Sequence, residues 1–315
     1  MNTKVETEDV KFDMHFHSTR SDGHNDPNEI LDVAKEKWLE LITLLDHDIV
    51  SPENFIIWAR DRWIYSLYSS ELSVRKANKK GSMHFWYYAS DTSEKVETIL
   101  EKTREGSLLM IEAQIEKLSN LWFDVTSENF YEFLKTQGKN KYSWNKFTLA
   151  TFLFEKSHNR EMAEKILWRK THIVDFYLSR LKARDNKDFG VSVPEYEPSL
   201  EVLSEIAKNK STLISIAHPN FTFQGGIKDF EKKAPGLIEL WVGAIEINTK
   251  ATPDWIESIN KICDEHNILR TMWSDNHMLW FTDDKHGNFW ELNPHISIEE
   301  KRKILDNFKN YFLDL

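Results

Sequence analysis

Residues 13–23 read Asp-Met-His-Phe-His-Ser-Thr-Arg-Ser-Asp-Gly. His15 and His17 sit two apart in an alternating run that begins at Lys11, and in a β-strand such residues share a face. Both imidazoles therefore leave the strand on one side, at its carboxyl end. Asp22 follows in a Ser-Asp-Gly turn, and Asp26-Pro27 reads as a helix N-cap and first helical residue. A strand that ends in two imidazoles and turns past a carboxylate suits the opening of a metal site. His-x-His also arises by chance, so the case rests on the other histidines and carboxylates.

Those groups fall on a regular pattern. Seven strands are expected, near 11–17, 39–48, 64–74, 82–88, 212–220, 243–250 and 268–277, six of them separated mainly by helices. His15 and His17, His47, Glu71, His218, and Asp275 with His277 lie at or just past strand ends; His84 lies within a short strand and Asp22 in the first strand-to-helix turn. A parallel barrel collects its strand ends at one face. The pattern thus predicts nine His, Asp and Glu side chains on one rim. Nine N/O ligands exceed the needs of one ion and suit two or three divalent cations with a bridging carboxylate. Imidazole and carboxylate without thiolate suit zinc, manganese or iron. Such sites clamp a phosphate and hold a hydroxide in line with it.

The helices that must position these strands carry their own signals. Helix Pro27 to Trp38 presents Ile30, Val33, Ala34 and Trp38 on one face. Ser51-Pro52 opens a second helix, 198–209 and 253–266 are further helices, and Ser297-x-x-Glu300 is a capping box that opens the last one. Between 95 and 189 helical periodicity takes over, near 95–118, 127–136, 145–156 and 160–183. Ile99, Met110, Ile111, Ile115 and Leu118 form one stripe there. From Lys135 to Lys187 there are 13 Lys/Arg against 5 Asp/Glu, within a chain of net charge −10. That run is either a solvated face or a lid that attracts anions.

Composition narrows the class. The 315 residues fit one large barrel or a barrel with an inserted domain. The acidic balance argues against long nucleic acid as partner. Cys263 is the one cysteine, which excludes an intrachain disulfide and a thiolate zinc site. The polar, acidic start does not read as a signal peptide, and no apolar run is long enough to span a membrane. A soluble, cytoplasmic protein is expected.

Asp-x-His-x-His-Ser-x-x-Ser-Asp-Gly, Leu-Asp-His-Asp (45–48), Ala-His-Pro (217–219) and Ser-Asp-x-His (274–277), in this order, resemble the four motifs of the PHP (polymerase and histidinol phosphatase) family. The resemblance implies an α/β fold, a distorted (β/α)7 barrel formed by residues 1–94 and 190–315, with an inserted all-helical subdomain at 95–189. It implies a di- or trinuclear centre. One ion would take His15, His17, Glu71 and Asp275; a second would share Glu71 and take His84 and His218; a third would take Asp22, His47 and His277. Asp22 stands where some relatives have histidine. The helical insertion resembles that of the subgroup acting on nucleoside 3′,5′-bisphosphates and short RNA ends. Where that subgroup tends to show Arg-x-His, this chain has Lys146 and Thr148, and Lys cannot make Arg's bidentate contact.

The expected activity is a metal-dependent phosphoesterase acting on a small phosphorylated substrate through a metal-bridging hydroxide, with His15, His17, Glu71, Asp275 and His277 carrying the chemistry. Lys146, His24 and His172 are the candidate substrate contacts, His24 and His172 being otherwise surface residues. Alternatives are a histidinol-phosphate-type phosphatase and a non-catalytic metal-binding module. Asp46 and Asp48 either orient ligands or are solvated. Glu246 reads as a charged strand end, with support of a neighbouring ligand as the alternative, and Cys263 reads as core. The aromatics of 121–154 sit at helical spacing, which usually means core, though one or two could stack a base.

Overall fold

A computed structural model describes residues 10–75, 82–182, 189, 197–209, 211–279 and 288–313. The sequence also suggests a disordered lead-in over residues 1–10, a Lys/Gly turn at 79–81 and a return of the α/β rhythm after Pro194; residues 1–9, the turn and Pro194 lie outside the described residues. Val10 itself is buried in the core rather than part of a loose start.

The chain is a mixed α/β protein that divides into two compact units: Met1–Ser18, Gly23–Leu100 and Glu197–Leu315 form one, and Thr19–Asp22 with Glu101–Tyr196 form the other. In the first unit the order is β1 (Phe12–Phe16), α1 (Pro27–Glu36), β2 (Leu41–Leu44), α2 (Glu53–Asp61), β3 (Tyr68–Arg75) and β4 (Ser82–Ala89). Helix α3 (Glu94–Asn120) starts there and runs on into the second unit, which adds α4 (Ser127–Thr136), α5 (Lys146–Glu155), α6 (Ser157–Leu167), α7 (Ile173–Phe176) and a π-helical turn, Tyr177–Leu181. The first unit resumes with α8 (Leu200–Ala207), β5 (Thr212–Ile216), α9 (Pro219–Thr222), α10 (Ile227–Glu239), β6 (Ala244–Asn248), α11 (Pro253–His266), β7 (Leu269–Trp273) and α12 (Ile298–Leu313).

β1 and β2 form a parallel pair, and β3-β4-β5-β6-β7 a five-stranded sheet. Isolated parallel bridges join Phe16, the last residue of β1, to Asn276 past the end of β7, and His47, past the end of β2, to Glu71. The expectation of uniformly parallel strands fails at β4, which pairs antiparallel with both β3 and β5. The reversal has a positional effect. His84 is the third residue of its strand, yet the start of β4 lies where the neighbouring strands end. Ser73 opposes His84 and Glu71 opposes Trp86, so alternation puts Glu71, Ser73, His84 and Trp86 on one face.

β1, β2, β5 and β6 are buried at every position, as strands covered on both faces should be. α1 has the expected Asp26 N-cap, and the cap extends to a capping box, with Asp26 accepting from Asn28 N and Glu29 returning to the Asp26 N–H. Ser51 is not the cap of α2; Pro52 holds that place, and the Ser51 hydroxyl instead accepts the Ser69 N–H at 2.9 Å. The helix read over 160–183 is broken: α6 stops at Leu167 and α7 starts at Ile173. Helix α10 was missed, since Gly225-Gly226 and Pro235-Gly236 look like loop signals. The second unit has its own core, in which Ile111, Ile115, Leu118, Phe130, Leu134, Leu149, Leu153 and Phe176 pack together; most of the 121–154 aromatics belong to it.

α12 is fastened to the start of β2 by a fork. Arg302 Nη1 and Nη2 donate to the two Glu40 carboxylate oxygens at 2.7 and 2.6 Å, and Lys309 Nζ adds a 3.4 Å contact. The Arg302 hydrogen bonds hold the Glu40 carboxyl below its ordinary value, outweighing partial burial. A depressed carboxyl contributes stability above its unfolded pKa and loses it as pH falls through the folded one. Glu40→Gln is therefore expected to cost roughly 0.5–1 kcal/mol at neutral pH, the pair being partly exposed, and nothing in acid below the folded pKa. Urea denaturation at the two pH values checks both.

Candidate metal centre

Glu71 is the hub of the first unit's polar cluster. Its Oε2 lies 3.2 Å from His17 Nε2, 3.3 Å from His47 Nδ1 and 3.6 Å from His15 Nε2; its Oε1 contacts His84 Nδ1 and lies 3.8 Å from His218 Nε2. Asp275 Oδ1 lies 3.6 Å from both His15 Nε2 and His17 Nε2, and 4.0 Å from His277 Nδ1. The fold thus brings eight of the nine expected ligands together: His15, His17, His47, Glu71, His84, His218, Asp275 and His277. The ninth, Asp22, belongs to the second unit.

The backbone around the cluster is fixed by buried polar groups. Asp13 Oδ1 accepts the His15 and Ser274 N–H groups at 3.2 Å each, and Oδ2 accepts the Ser274 hydroxyl at 2.5 Å and the Trp290 N–H at 3.1 Å. One side chain so ties β1 to the segment that carries Asp275. Burial pushes the Asp13 carboxyl up to about 6 against these hydrogen bonds. Asp46 binds the Ser18 N–H (2.8 Å) and hydroxyl (2.7 Å), pinning the residue after His17. Asp48 Oδ1 accepts the Ser73 N–H at 2.8 Å, across from His84. Gly23 must be glycine, because a Cβ there would stand 2.2 Å from the His17 carbonyl oxygen.

Two ring orientations follow from acceptor chemistry. The Thr222 hydroxyl donates to the Ala217 carbonyl (3.0 Å), so it can only accept from His218 Nδ1, 3.1 Å away. His218 Nε2 is then the bare nitrogen, and it is the atom facing Glu71. His277 Nδ1 lies 3.1 Å from the Asp275 carbonyl oxygen, which accepts only, leaving Nε2 bare as well. His277 stacks on His17, with centroids 4.1 Å apart and planes 21° apart.

The donor set fits divalent cations. Ligand atoms held about 2.0–2.2 Å from one ion stand roughly 3–3.5 Å apart, close to the separations around Glu71. His15 Nε2 and His17 Nε2 face each other at 2.7 Å, a distance that needs a proton or a cation between two lone pairs. Burial drives the His15 imidazole well below its usual pKa, against attraction from Asp275 and Glu71, so the neutral ligand form is favoured. Burial would raise the Glu71 carboxyl, but His47 and His84, helped by His17 and His218, hold it well below its usual value. Triads within mutual ligand reach are His15, His17, Asp275; His47, Glu71, His84; and His17, His47, His277. His17 and His47 each serve two of these, a sharing that the motif-based division into three sites lacks.

Glu246 was undervalued from sequence. It is buried, and its Oε2 accepts the His218 N–H and the Trp86 Nε1–H, the latter at 3.0 Å. It fixes the backbone of His218. Thr222, three residues past Ala-His-Pro, carried no sequence signal except its i+4 spacing from His218. His24 is exposed, and its N–H donates to the His277 carbonyl at 2.8 Å. Cys263 is core, its thiol pushed up to about 12 by burial.

In the second unit, Lys146 opens α5 after the Asn145 cap, and His172 is the exposed residue before α7. His158 Nε2 donates to the Trp122 carbonyl at 2.9 Å. Lys139, counted in the basic run, is buried and donates to the Asp22 carbonyl at 2.9 Å. Ser143 Oγ lies 2.9 and 3.0 Å from the Thr19 and Arg20 carbonyls, and Asn145 Nδ2 lies 3.4 Å from Asp22 Oδ2. The turn that carries Asp22 is thus held by the helical unit.

Thr222→Val removes the acceptor that fixes His218. Loss of such an orienting partner typically costs 10–100-fold in metal affinity. That loss, with melting temperature little changed, is expected in competition titrations with a metal-binding dye.

No family model and no curated protein matches the chain. Solved structures do. A Bifidobacterium adolescentis protein provisionally described as a metal-dependent phosphoesterase superposes with a TM-score of 0.69 at 18% identity, over 94% of this chain and 96% of that one. An amidohydrolase from Chromobacterium violaceum, solved with bound SO4 and no metal, superposes with a TM-score of 0.60 at 21% identity, over 90% and 93%. The chain shares the fold of these two proteins along nearly its whole length. No described helix is long and apolar enough to cross a membrane.

Proposed function

We propose that the protein is a metal-dependent phosphoesterase of the PHP type, a hydrolase of small phosphorylated substrates. The observation that carries this is Glu71, a buried carboxylate with five imidazoles around it and Asp275 beyond two of them. So many imidazole nitrogens around one carboxylate make sense as a polynuclear cation site. The order of strands supports a distorted seven-stranded barrel, since the Phe16–Asn276 and His47–Glu71 bridges run between the edges of the two sheets. The likeness to a protein described as a metal-dependent phosphoesterase points the same way, and sulfate, bound by the other neighbour, is phosphate's isostere.

His15, His17, Glu71, Asp275, His84, His218, His47 and His277 would hold two or three ions, of manganese, zinc or iron. Asp22 is proposed as a further ligand from its place in the Ser-Asp-Gly turn alone. Bound divalent ions supply an activated water and neutralise charge developing on a phosphoryl group. The chain's own share is to keep His15 neutral and the imidazoles aimed: Thr222 and the Asp275 carbonyl orient two rings, and Asp13 and Asp46 lock the strand ends. The helical region 95–189 is proposed to select the substrate, with Lys146 and His172 as candidate phosphate contacts. A nucleoside 3′,5′-bisphosphate or a short RNA end is the favoured substrate class, and histidinol phosphate the alternative.

The test is a panel with manganese: nucleoside 3′,5′-bisphosphates, 5′-monophosphates, histidinol phosphate and short RNA. Turnover of one class is expected, falling on the order of a thousandfold or more in His17→Ala and Asp275→Asn with the fold intact. Full activity in His17→Ala sinks the mechanism. Bound metal, measured by mass spectrometry, without turnover of any phosphoester favours a non-catalytic module.

Glu71→Gln keeps the shape and removes the charge. It is expected to lower the metal content of the purified protein by at least one equivalent, because the shared carboxylate serves more than one ion.

A further inference from the structure

Five helices of this protein end in the same way. At the C-terminal ends of α1, α2, α3, α6 and α10 stand Trp38, Trp63, Trp122, Trp168 and Trp241, with φ of 60, 64, 67, 56 and 73°. Each Trp N–H bonds the carbonyl three residues back: Lys35, Arg60, Ser119, Lys165 and Ile238. The next N–H in each case reaches the carbonyl five back: Ala34, Ala59, Leu118, Glu164 and Leu237. This is the Schellman closure, and its left-handed residue is usually glycine, because a Cβ there crowds the following carbonyl. Trp290, in a loop, has φ 58° and donates its N–H to Asp13.

The same chain shows what belongs at such positions. α4 closes identically with Gly138 (φ 71°), its N–H on the Lys135 carbonyl and that of Lys139 on Leu134. α11 closes with Asn267 (φ 52°), the other residue that tolerates this conformation. The five helix-end indoles are 58 to 94% exposed, so burial does not offset the strain. A binding surface would select Trp by the direction of its side chain; these are selected by backbone angle. Composition agrees, with 12 Trp beside only 10 Gly in 315 residues, where about 7% Gly is usual.

We propose that Trp38, Trp63, Trp122, Trp168, Trp241 and Trp290 are glycine in the protein as its own cells make it. Each would be encoded by UGA, a codon that different genetic codes read as stop, tryptophan or glycine. Trp255 lies inside helix α11 and is not among the residues of positive φ, so nothing in its backbone calls for glycine and it is true tryptophan, encoded by UGG.

The gene and the protein test this directly. UGA is expected for all six positions and UGG for Trp255, and peptides from the protein purified from its native cells should carry glycine at the six. UGG at those positions, or tryptophan in the native peptides, overturns the proposal. Stability gives an independent reading on recombinant full-length protein. Replacing all six Trp by Gly should raise the melting temperature by on the order of 10 °C. Replacing all six by Ala keeps the Cβ and should gain much less. A glycine variant no more stable than the alanine variant also overturns it.

Discussion

A carboxylate buried among imidazoles is the constraint on which the first unit depends. Desolvating Glu71 is costly, and its lone pairs must meet positive charge or N–H donors. Six histidines from five different segments converge on it and on Asp275. The surrounding design reads as a solution to that problem. Asp13, Asp46 and Glu246 are spent on backbone N–H groups, so the histidine-bearing segments stay in place without drawing on the imidazoles or on Glu71.

The reversal of β4 belongs to the same solution. Its two neighbours run the other way, so a histidine near its start meets a glutamate midway along β3. A parallel β4 would carry a histidine at that sequence position toward the opposite end. The site therefore depends on strand direction as much as on residue type.

Much of this was legible in the sequence because it rests on period and punctuation. Alternation around His15 and His17, the Asp26-Pro27 helix start and the strand-end positions of His47, His218 and Asp275 all survive in the structure. The direction of β4 was not legible, since alternation reads the same both ways. Thr222, Glu246 and Lys139 were missed because their roles depend on partners distant in space. The break after α6 was missed because Trp168 does not announce one. A glycine there would have, and the same holds at the other helix ends that close on tryptophan.

The first motif is divided between the two units. Thr19–Asp22 clusters with the helical unit, where Ser143 and Lys139 grip its carbonyls. Modularity therefore stops short of this loop. A chimera that exchanges the helical region for another, or excises it, would leave four residues of the signature without their mooring, however carefully the splice points at its ends were chosen. Ancestral gain or loss of the helices would have required compensating changes in the amino-terminal turn, so the two stretches are expected to evolve in concert.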